Sequence, residues 1–320
     1  MDSDAIVTAA NAAESLPNTS AGKPERNSYQ VRKAIEGLIH LIFLLCGIVA
    51  VAFVLFISIY LIVSGLPAIR EIGLVKFLLG RVWDPTNTTT GAQYGILAFI
   101  LSSVYGTAGA IVVGVPVGLM TAVFLAKVAP PKLAAVIRTA VQLLAGIPSV
   151  VYGLVGMIVL VPAIRNTFSL SSGACLLAAI IVLAIMILPS IIKVSVTALD
   201  AVPKEYEDAS LALGASPVET FFRVSVPAAK SGIAAAVVLG VGRAIGEAMA
   251  VMMVAGNVAN MPSLFQSVRF LTTAVASEMS YSSPGSLQRN ALFSIALVLF
   301  LFIMLLNAAL NFFLKREKEK

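Results

Sequence analysis

The segment from Asp200 to Gly232, DAVPKEYEDASLALGASPVETFFRVSVPAAKSG, carries several signals for helix boundaries. Pro203 suits the first turn of a helix, where Glu205, Glu207 and Asp208 would complement the positive end of the helix dipole. Gly214 suits the left-handed position that closes a helix. Ser216-Pro217-Val218-Glu219 has the pattern of a capping box, with Ser at the N-cap and Glu at N3. The segment therefore predicts a helix, a glycine turn and a second helix.

Two interpretations of this helical pair are open. An amphipathic hairpin could lie on a membrane surface, or the pair could be a docking element for a cytoplasmic partner. A floppy linker does not need well-marked helix ends, and aromatic and aliphatic side chains such as Tyr206, Leu213 and Phe222 are available for docking.

The composition indicates an integral membrane protein. Hydrophobic residues make up 59% of the 320 residues and charged residues 12%, with a mean hydropathy of +0.96, whereas soluble domains are about 25% charged. Six apolar segments are long enough to cross ~30 Å of hydrocarbon as helices of ~20 residues. They are Ala34–Val63, Tyr94–Ala126, Ala140–Val161, Ala174–Thr197, Ser231–Gly256 and Ala291–Leu314. We therefore predict an all-α protein with six transmembrane helices in one domain, residues 34–314.

The two ends of the chain are polar. Residues 1–33 predict a disordered arm, because they are rich in Ala, Asn, Ser and Glu and lack a short apolar region with a cleavage site. Residues 315–320 form a charged tail.

The distribution of basic residues predicts that both termini are cytoplasmic. Of the 22 Lys and Arg residues, 15 lie in the two tails and in the two loops on the same side, 6 lie on the other side, and Arg243 lies within a span. Basic residues accumulate on the cytoplasmic side of membrane proteins. The net charge of +6 then reflects topology, and nucleic-acid binding is not needed to explain it.

Few residues could support catalysis or metal binding. His40 is the only histidine, so no multi-histidine metal centre is expected, and Cys46 and Cys175 both fall in apolar segments. We predict no metal and no cofactor. An intramembrane enzyme is disfavoured, because one histidine and one buried carboxylate supply little acid–base machinery.

The fifth span contains two charges, in the sequence VGRAIGEAMAV from Val241 to Val251. Residues four apart on a helix are neighbours, so we expect Arg243 and Glu247 to share one face as an ion pair. The pair could simply fix helix packing. A buried pair is weak evidence for stability, however, and a guanidinium fits the oxygens of an oxyanion. We therefore predict that Arg243 and Glu247 line a gate in a substrate pathway.

Two further residues are candidates for that pathway. Pro148 in GIPSVVYG breaks the helical hydrogen-bond ladder, and Ser149 and Tyr152 could offer hydroxyl donors there. Alternatively, the proline and the glycines only shape the helix. On the outer side, Trp83 could anchor at the membrane interface or belong to a docking surface.

The segment 200–230 resembles the cytoplasmic "EAA" loop of bacterial ABC-transporter permeases, whose pattern is E-A-A, three residues, Gly, nine residues and I-x-L-P. Here Asp208-Ala209-Ser210, Gly214 and Val224-Ser225-Val226-Pro227 keep this spacing, with Asp, Ser and two Val as replacements. In that family the loop forms coupling helices that dock on the ATP-hydrolysing subunit. The resemblance implies the MetI-like permease fold of type I importers. It also implies coupling roles for Glu207, Asp208, Ala209, Gly214 and Pro227.

The resemblance to permeases of phosphate importers extends over roughly residues 38–314, and GRAIGEAMAV is one of the segments that carry it. It implies import of inorganic phosphate across the bacterial plasma membrane. The implied partners are a second permease, two ATP-binding subunits and an external phosphate-binding protein. The chain has no G-x-x-x-x-G-K-[ST] motif, so ATP hydrolysis is expected on another chain. Transport of another oxyanion such as sulfate, or ion-coupled secondary transport, are the alternatives.

Overall fold

The structure is a computed structural model that describes residues 26–89 and 91–318. The arm predicted for residues 1–33 therefore lies largely outside the described residues, and its last residues are helical because the first helix begins at Arg26. Helices α1 to α7 are Arg26–Ile72, Leu74–Leu79, Leu97–Val123, Pro131–Gly146, Ser149–Val155, Val161–Thr167 and Leu176–Asp200. Helices α8 to α14 are Lys204–Ala212, Pro217–Thr220, Val226–Ala228, Lys230–Gly246, Met249–Val254, Leu271–Glu278 and Leu287–Lys318. Three π-helical turns, Phe124–Val128, Gly156–Leu160 and Phe221–Ser225, extend α3, α5 and α9, and strands β1 (Trp83–Asp84) and β2 (Gln93–Tyr94) form an antiparallel hairpin.

The described residues contain five helical spans that are long and apolar enough to cross a membrane. They are Ile35–Ile72, Leu97–Val128, Ser149–Thr167, Leu176–Asp200 and Leu287–Ala309. A sixth span results if Pro217–Ala228 and Lys230–Gly246, which are bent by 71° at Ala229, are counted together. The all-α, multi-span fold class predicted from the sequence is confirmed.

The predicted third and fifth spans are both interrupted. The third breaks between α4 and α5, where Ile147 has an extended backbone and Pro148 follows it. Proline lacks the N–H that would continue the ladder and disfavours helical geometry in the residue before it. The fifth breaks after Gly246, and α12 resumes at Met249. Both interruptions fall at the segments that the sequence marks as functional.

The described residues 26–58 belong to a compact unit of their own. Within it, the described residues are one continuous helical segment with many exposed large apolar side chains, such as Phe43 and Phe53. A helix that is apolar all round requires an apolar environment. Such a surface is typical of a segment that faces lipid.

The unit from Ile59 onward has its core between α3 and α7. Three glycines of α3 face three isoleucines of α7, and a Cβ atom on any of these glycines would come within 3 Å of the opposite side chain. The pairs are Gly109 with Ile180, Gly114 with Ile187, and Gly118 with Ile191. Small residues on one helix allow this close approach, which is a common way of packing helices in membranes.

Candidate functional site

Within the unit from Ile59 onward, the helix bundle has two distinct ends, which we call the loop end and the hairpin end. The loop end carries residues 201–229, which connect α7 to α11, and the hairpin end carries β1 and β2. Helices α4 and α11 begin at the loop end and stop within the bundle.

Arg243 lies in the last turn of α11 and is half-buried. Its Nη1 atom donates a hydrogen bond of 3.2 Å to the hydroxyl of Ser190 on α7. Ser190 lies ten residues from the end of α7, which places it roughly 15 Å along the helix from the loop end. The guanidinium therefore lies at about the middle depth of the bundle.

Glu247 does not share a helical face with Arg243, so the predicted i, i+4 ion pair is wrong. Helix α11 ends at Gly246, and Glu247 has an extended backbone with φ −74° and ψ 123°. One carboxylate oxygen of Glu247 accepts the N–H of Ala250 at 2.9 Å, and its carbonyl accepts the hydroxyl of Thr272 at 2.8 Å. Among the described residues no salt bridge joins Arg243 to a carboxylate. Glu247 thus supports the helix break and the start of α12.

Tyr152 and Ser149 lie on α5, immediately after the other break. The Tyr152 hydroxyl donates a hydrogen bond of 2.7 Å to the carbonyl of Leu144, which also accepts the N–H of Ile147 at the end of α4. Ser149 begins α5 and is half-buried, and no hydrogen bond of its hydroxyl occurs within the part of the chain that the structure describes.

The two helix breaks are neighbours in space. A Cβ atom on Gly153 would lie 2.8 Å from Cα of Ala250, and one on Gly156 would lie 2.8 Å from the Val254 side chain. Helix α5 and the π turn after it therefore pack directly on α12. Arg243 lies within electrostatic range of the Tyr152 hydroxyl. The structure thus brings the break beside Tyr152 next to the break at Glu247, and Arg243 lies in the last turn of α11, just before that second break.

The loop end folds as the sequence predicts. Helix α8 ends before Gly214, whose φ of +85° is the left-handed conformation that glycine adopts without steric cost. The capping box is present: the Ser216 hydroxyl accepts the Glu219 N–H, and the Glu219 carboxylate accepts the Ser216 N–H. The hydroxyls of Ser210 and Thr220 lie 2.9 Å apart and join α8 to α9.

Glu207 anchors this loop to the bundle. Its carboxylate lies 2.6 Å from the Lys127 ammonium in the π turn after α3, and it accepts the Ser225 hydroxyl at 2.8 Å. Burial acts to raise the pKa of Glu207, but the hydrogen bonds from Lys127 and Ser225 and the charges of Lys127 and Lys204 outweigh it and lower that pKa below the ordinary value. Glu207 therefore faces inward, away from any docking partner.

The outer surface of the loop is both polar and apolar. Asp208 and Ala209 are exposed on α8, and Pro227 is exposed on α10, next to the 71° bend. Five large hydrophobic side chains of the loop are also exposed: Tyr206, Leu211, Leu213, Val218 and Phe222. Leu213, beside the Gly214 turn, is 90% exposed. An exposed apolar surface of this kind is typical of a protein interaction site.

Sequence reasoning missed a polar network at the hairpin end. The Glu278 carboxylate accepts the indole N–H of Trp83 at 3.0 Å, the Gln288 amide at 3.2 Å, and a short charged hydrogen bond from Arg269. Arg269 also donates to the carbonyl of Asn257. Neither interpretation of Trp83 is right, because its side chain is buried and packs on Tyr94 and Phe99. No local pattern marks these partners, which are up to 195 residues apart.

No group of three or more His, Cys, Asp or Glu side chains able to hold a metal ion is found among the described residues. Cys46 and Cys175 are free thiols.

These helices, with a folded loop at one end and a half-buried arginine at mid-depth, define a multi-pass helical membrane protein of the permease type. The model of the family described as "binding-protein-dependent transport system inner membrane component" matches residues 114–318. The chain belongs to this family. It is accordingly a membrane subunit of a transport system and not an enzyme, as the sequence predicts.

Curated relatives cover most of the chain. A probable ABC transporter permease protein, YqgH of Bacillus subtilis, is 38% identical over 91% of this chain and 96% of its own length. The phosphate transport system permease proteins PstC of Mesorhizobium japonicum and Haemophilus influenzae are 32% and 34% identical, over 81% and 76% of this chain and 84% and 82% of their own lengths.

Two solved structures show the same fold. One is an inward-facing conformation of the MetNI methionine ABC transporter, with a TM-score of 0.54 at 20% identity, covering 69% of this chain and 96% of that one. The other is a bacterial alginate ABC transporter in complex with an alginate-bound periplasmic protein, with a TM-score of 0.56 at 14% identity, covering 88% and 94%. The predicted MetI-like permease fold is therefore confirmed.

Proposed function

We propose that the chain is a transmembrane permease subunit of an ATP-driven importer of inorganic phosphate. The observation that carries this proposal is the environment of Arg243. Its guanidinium is half-buried at the middle depth of the bundle, and among the described residues its hydrogen bond is to the neutral Ser190 hydroxyl. A guanidinium without a carboxylate partner keeps most of its donors for a passing oxyanion. The similarity to relatives named as phosphate permeases supports phosphate as that anion.

The other pathway residues receive distinct roles in this proposal. Ser149 offers a hydroxyl to the anion, beside the break at Pro148. Tyr152 holds the end of α4 through Leu144 and thereby positions this break. Glu247 sets the break opposite it and contributes a negative charge that prevents a permanent phosphate trap, since transport requires the anion to leave as well as to bind.

The loop end is proposed to be cytoplasmic, with both termini on that side, as the 15 basic residues there favour. Its exposed surface, with Asp208, Ala209 and the apolar side chains beside Gly214, would dock on one of two ATP-binding subunits. Glu207 and Pro227 would hold that surface in place. A second, homologous permease would complete the membrane part, and an external phosphate-binding protein would deliver the anion at the hairpin end.

The experiment is ATP-driven uptake in proteoliposomes that contain the complete transporter, with radiolabelled phosphate as the probe. We expect uptake to require the binding protein and ATP on the side of the loop end. Excess sulfate should not inhibit this uptake. Inhibition by sulfate with poor phosphate uptake would assign another oxyanion. Uptake that persists without ATP and collapses with an ionophore would indicate an ion-coupled secondary transporter.

Topology can be tested separately by cysteine accessibility in a variant that lacks Cys46 and Cys175. A cysteine replacing the exposed Ala212 should react only from the cytoplasmic side. Reaction exclusively from the outside would reverse the orientation proposed here.

A further inference from the structure

A second group of polar side chains lies between Arg243 and the loop end. Helices α4 and α7 border a half-open cavity of about 310 Å³ that Arg138 and Gln142 line from α4, and Lys193 and Thr197 from α7. At about 30 Å³ for each water, the cavity holds roughly ten water molecules. A small hydrated anion therefore fits.

The cavity adjoins the Arg243 site along α7. Ser190, Lys193 and Thr197 are separated by three and four residues, so they form one face of this helix. The Ser190 hydroxyl accepts a hydrogen bond from the Arg243 guanidinium. Lys193 lies about one turn closer to the loop end, a rise of roughly 4.5 Å along the helix. A cation at mid-depth is thus followed by a cation-lined cavity on the same face.

The donors of the cavity are not used up within the protein. For Lys193 and Gln142, no side-chain partner occurs in the described portion of the chain. Arg138 contacts one oxygen of Asp200 at 3.4 Å, but both side chains are more than 40% exposed, and an exposed pair of this length contributes little. The Thr197 hydroxyl donates to the Lys193 carbonyl, so it offers only lone pairs.

This combination selects the chemistry of the ligand. A guanidinium, an ammonium and a carboxamide provide several N–H donors, and charge-assisted hydrogen bonds to oxyanions are among the strong ones. Asp200, which contacts Arg138, opposes the positive charge, and this favours release over tight retention. Apolar side chains such as Ile192 and Val196 complete the lining.

We propose that this cavity is a binding site for a phosphate-type oxyanion on the loop-end side of Arg243. The anion is either the transported ion after it leaves Arg243, which rests on the proposed function, or the phosphate headgroup of an anionic phospholipid. Both sources present the same tetrahedral oxygens. The first makes the cavity an exit site of the pathway, and the second makes it a lipid site.

The test uses the complete transporter in lipid nanodiscs, in the background Cys46→Ser and Cys175→Ala. Ala145→Cys places a thiol in the cavity wall, and Ala135→Cys, on the same helix but outside the cavity, is the matched control. The rate of labelling by a neutral maleimide is measured against the concentration of inorganic phosphate. We expect phosphate to slow labelling at position 145 and to leave position 135 unchanged.

Charge variants define the site. Lys193→Gln or Arg138→Gln should raise the phosphate concentration for half-protection about tenfold, because a hydrogen bond to a charged group contributes roughly this factor or more. Lys193→Arg, which retains the charge, should stay near the wild-type value. Lys132→Gln, an exposed change at the same end of α4, should have no effect.

The lipid composition separates the two sources. Protection by inorganic phosphate in nanodiscs of phosphatidylcholine assigns the transported ion, whereas protection only when phosphatidylglycerol is included assigns the headgroup. Equal labelling with and without either probe, or equal protection in wild type and Lys193→Gln, overturns the site. Phosphate uptake by the same purified transporter, reconstituted in proteoliposomes, is the independent check. Wild type without uptake refutes the proposed function, and normal uptake without protection refutes only this site.

Discussion

The Lys127 ammonium and the Glu207 carboxylate, 2.6 Å apart and both largely buried, join the loop end of α3 to α8. This contact spans 80 residues of sequence and fixes the loop that carries the exposed docking surface. Because Ser225 donates to the same carboxylate oxygen, the start and the end of the loop are held at one point.

Lys127→Met should destabilise the protein by about 1–3 kcal/mol, because it leaves a buried carboxylate with one hydrogen-bond donor fewer. Arg138→Met is the matched comparison, since its ion pair with Asp200 is exposed and should change stability by less than about 1 kcal/mol. Unfolding of the purified complex in detergent measures both. Equal effects of the two variants would show that burial of the Lys127 pair is irrelevant.

The same ion pair predicts a pH dependence. The folded-state pKa of Glu207 lies below its ordinary value of 4.5, so the pair contributes fully above pH 4.5, and its contribution is lost as the pH falls through the lowered value. The difference in stability between wild type and Lys127→Met should therefore be constant near neutral pH and shrink in acid. A difference that grows as the pH falls would contradict this assignment.

Gly214 is predicted to be essential for coupling. Gly214 has a φ of +85°. An ordinary residue in this left-handed conformation destabilises the fold by about 1–2 kcal/mol, and a β-branched residue fits worst. Gly214→Val should reduce phosphate uptake per ATP hydrolysed, while Gly214→Asn, which tolerates this conformation, should retain most of it. No Cβ clash is expected at this exposed position, so the comparison isolates backbone conformation.

Arg243→Gln should abolish phosphate uptake at unchanged membrane abundance, because it deletes the charge. Arg243→Lys should retain only part of it, because a point charge does not reproduce the planar fork. Lys230→Gln, at the exposed first residue of the same helix, serves as the control. Uptake by Arg243→Gln equal to that of Lys230→Gln would remove Arg243 from the pathway.

Glu247 should behave as the support of a helix break, with an effect independent of Arg243. Glu247→Gln keeps an oxygen that can accept the Ala250 N–H, so it should be more stable than Glu247→Ala by roughly 1 kcal/mol. Combining either variant with Arg243→Gln should give additive changes in stability, since no ion pair links the two side chains. A coupling energy well above 0.5 kcal/mol in the double-mutant cycle would restore the ion pair.

Local sequence patterns predicted the loop end well. Ser216 and Glu219 form the capping box, and Gly214 has the positive φ, because each signal depends on residues no more than four positions away. Pro148 likewise ends a helix for reasons internal to the chain segment.

Features that depend on distant partners could not be predicted. Helix α11 ends at Gly246, and Thr272, 25 residues away in the sequence, donates a hydrogen bond to the carbonyl of the next residue, Glu247. No local sequence pattern marks this contact, so the regular spacing of Arg243 and Glu247 was misleading. The partner of Glu207 is likewise remote in sequence. Spacing predicts proximity only while the helix continues, and tertiary contacts decide where it stops.

Helix α13 joins the helix break at Glu247 to the polar network at the hairpin end. Thr272 at its first turn holds the Glu247 carbonyl, and Glu278 at its last residue holds Trp83. Eight residues of α-helix span roughly 12 Å and bend little. We therefore expect a displacement of the hairpin end that shifts Trp83 to shift Glu247 as well. Spin labels at the two ends of this helix should keep a constant separation through the transport cycle, even when both move relative to α7.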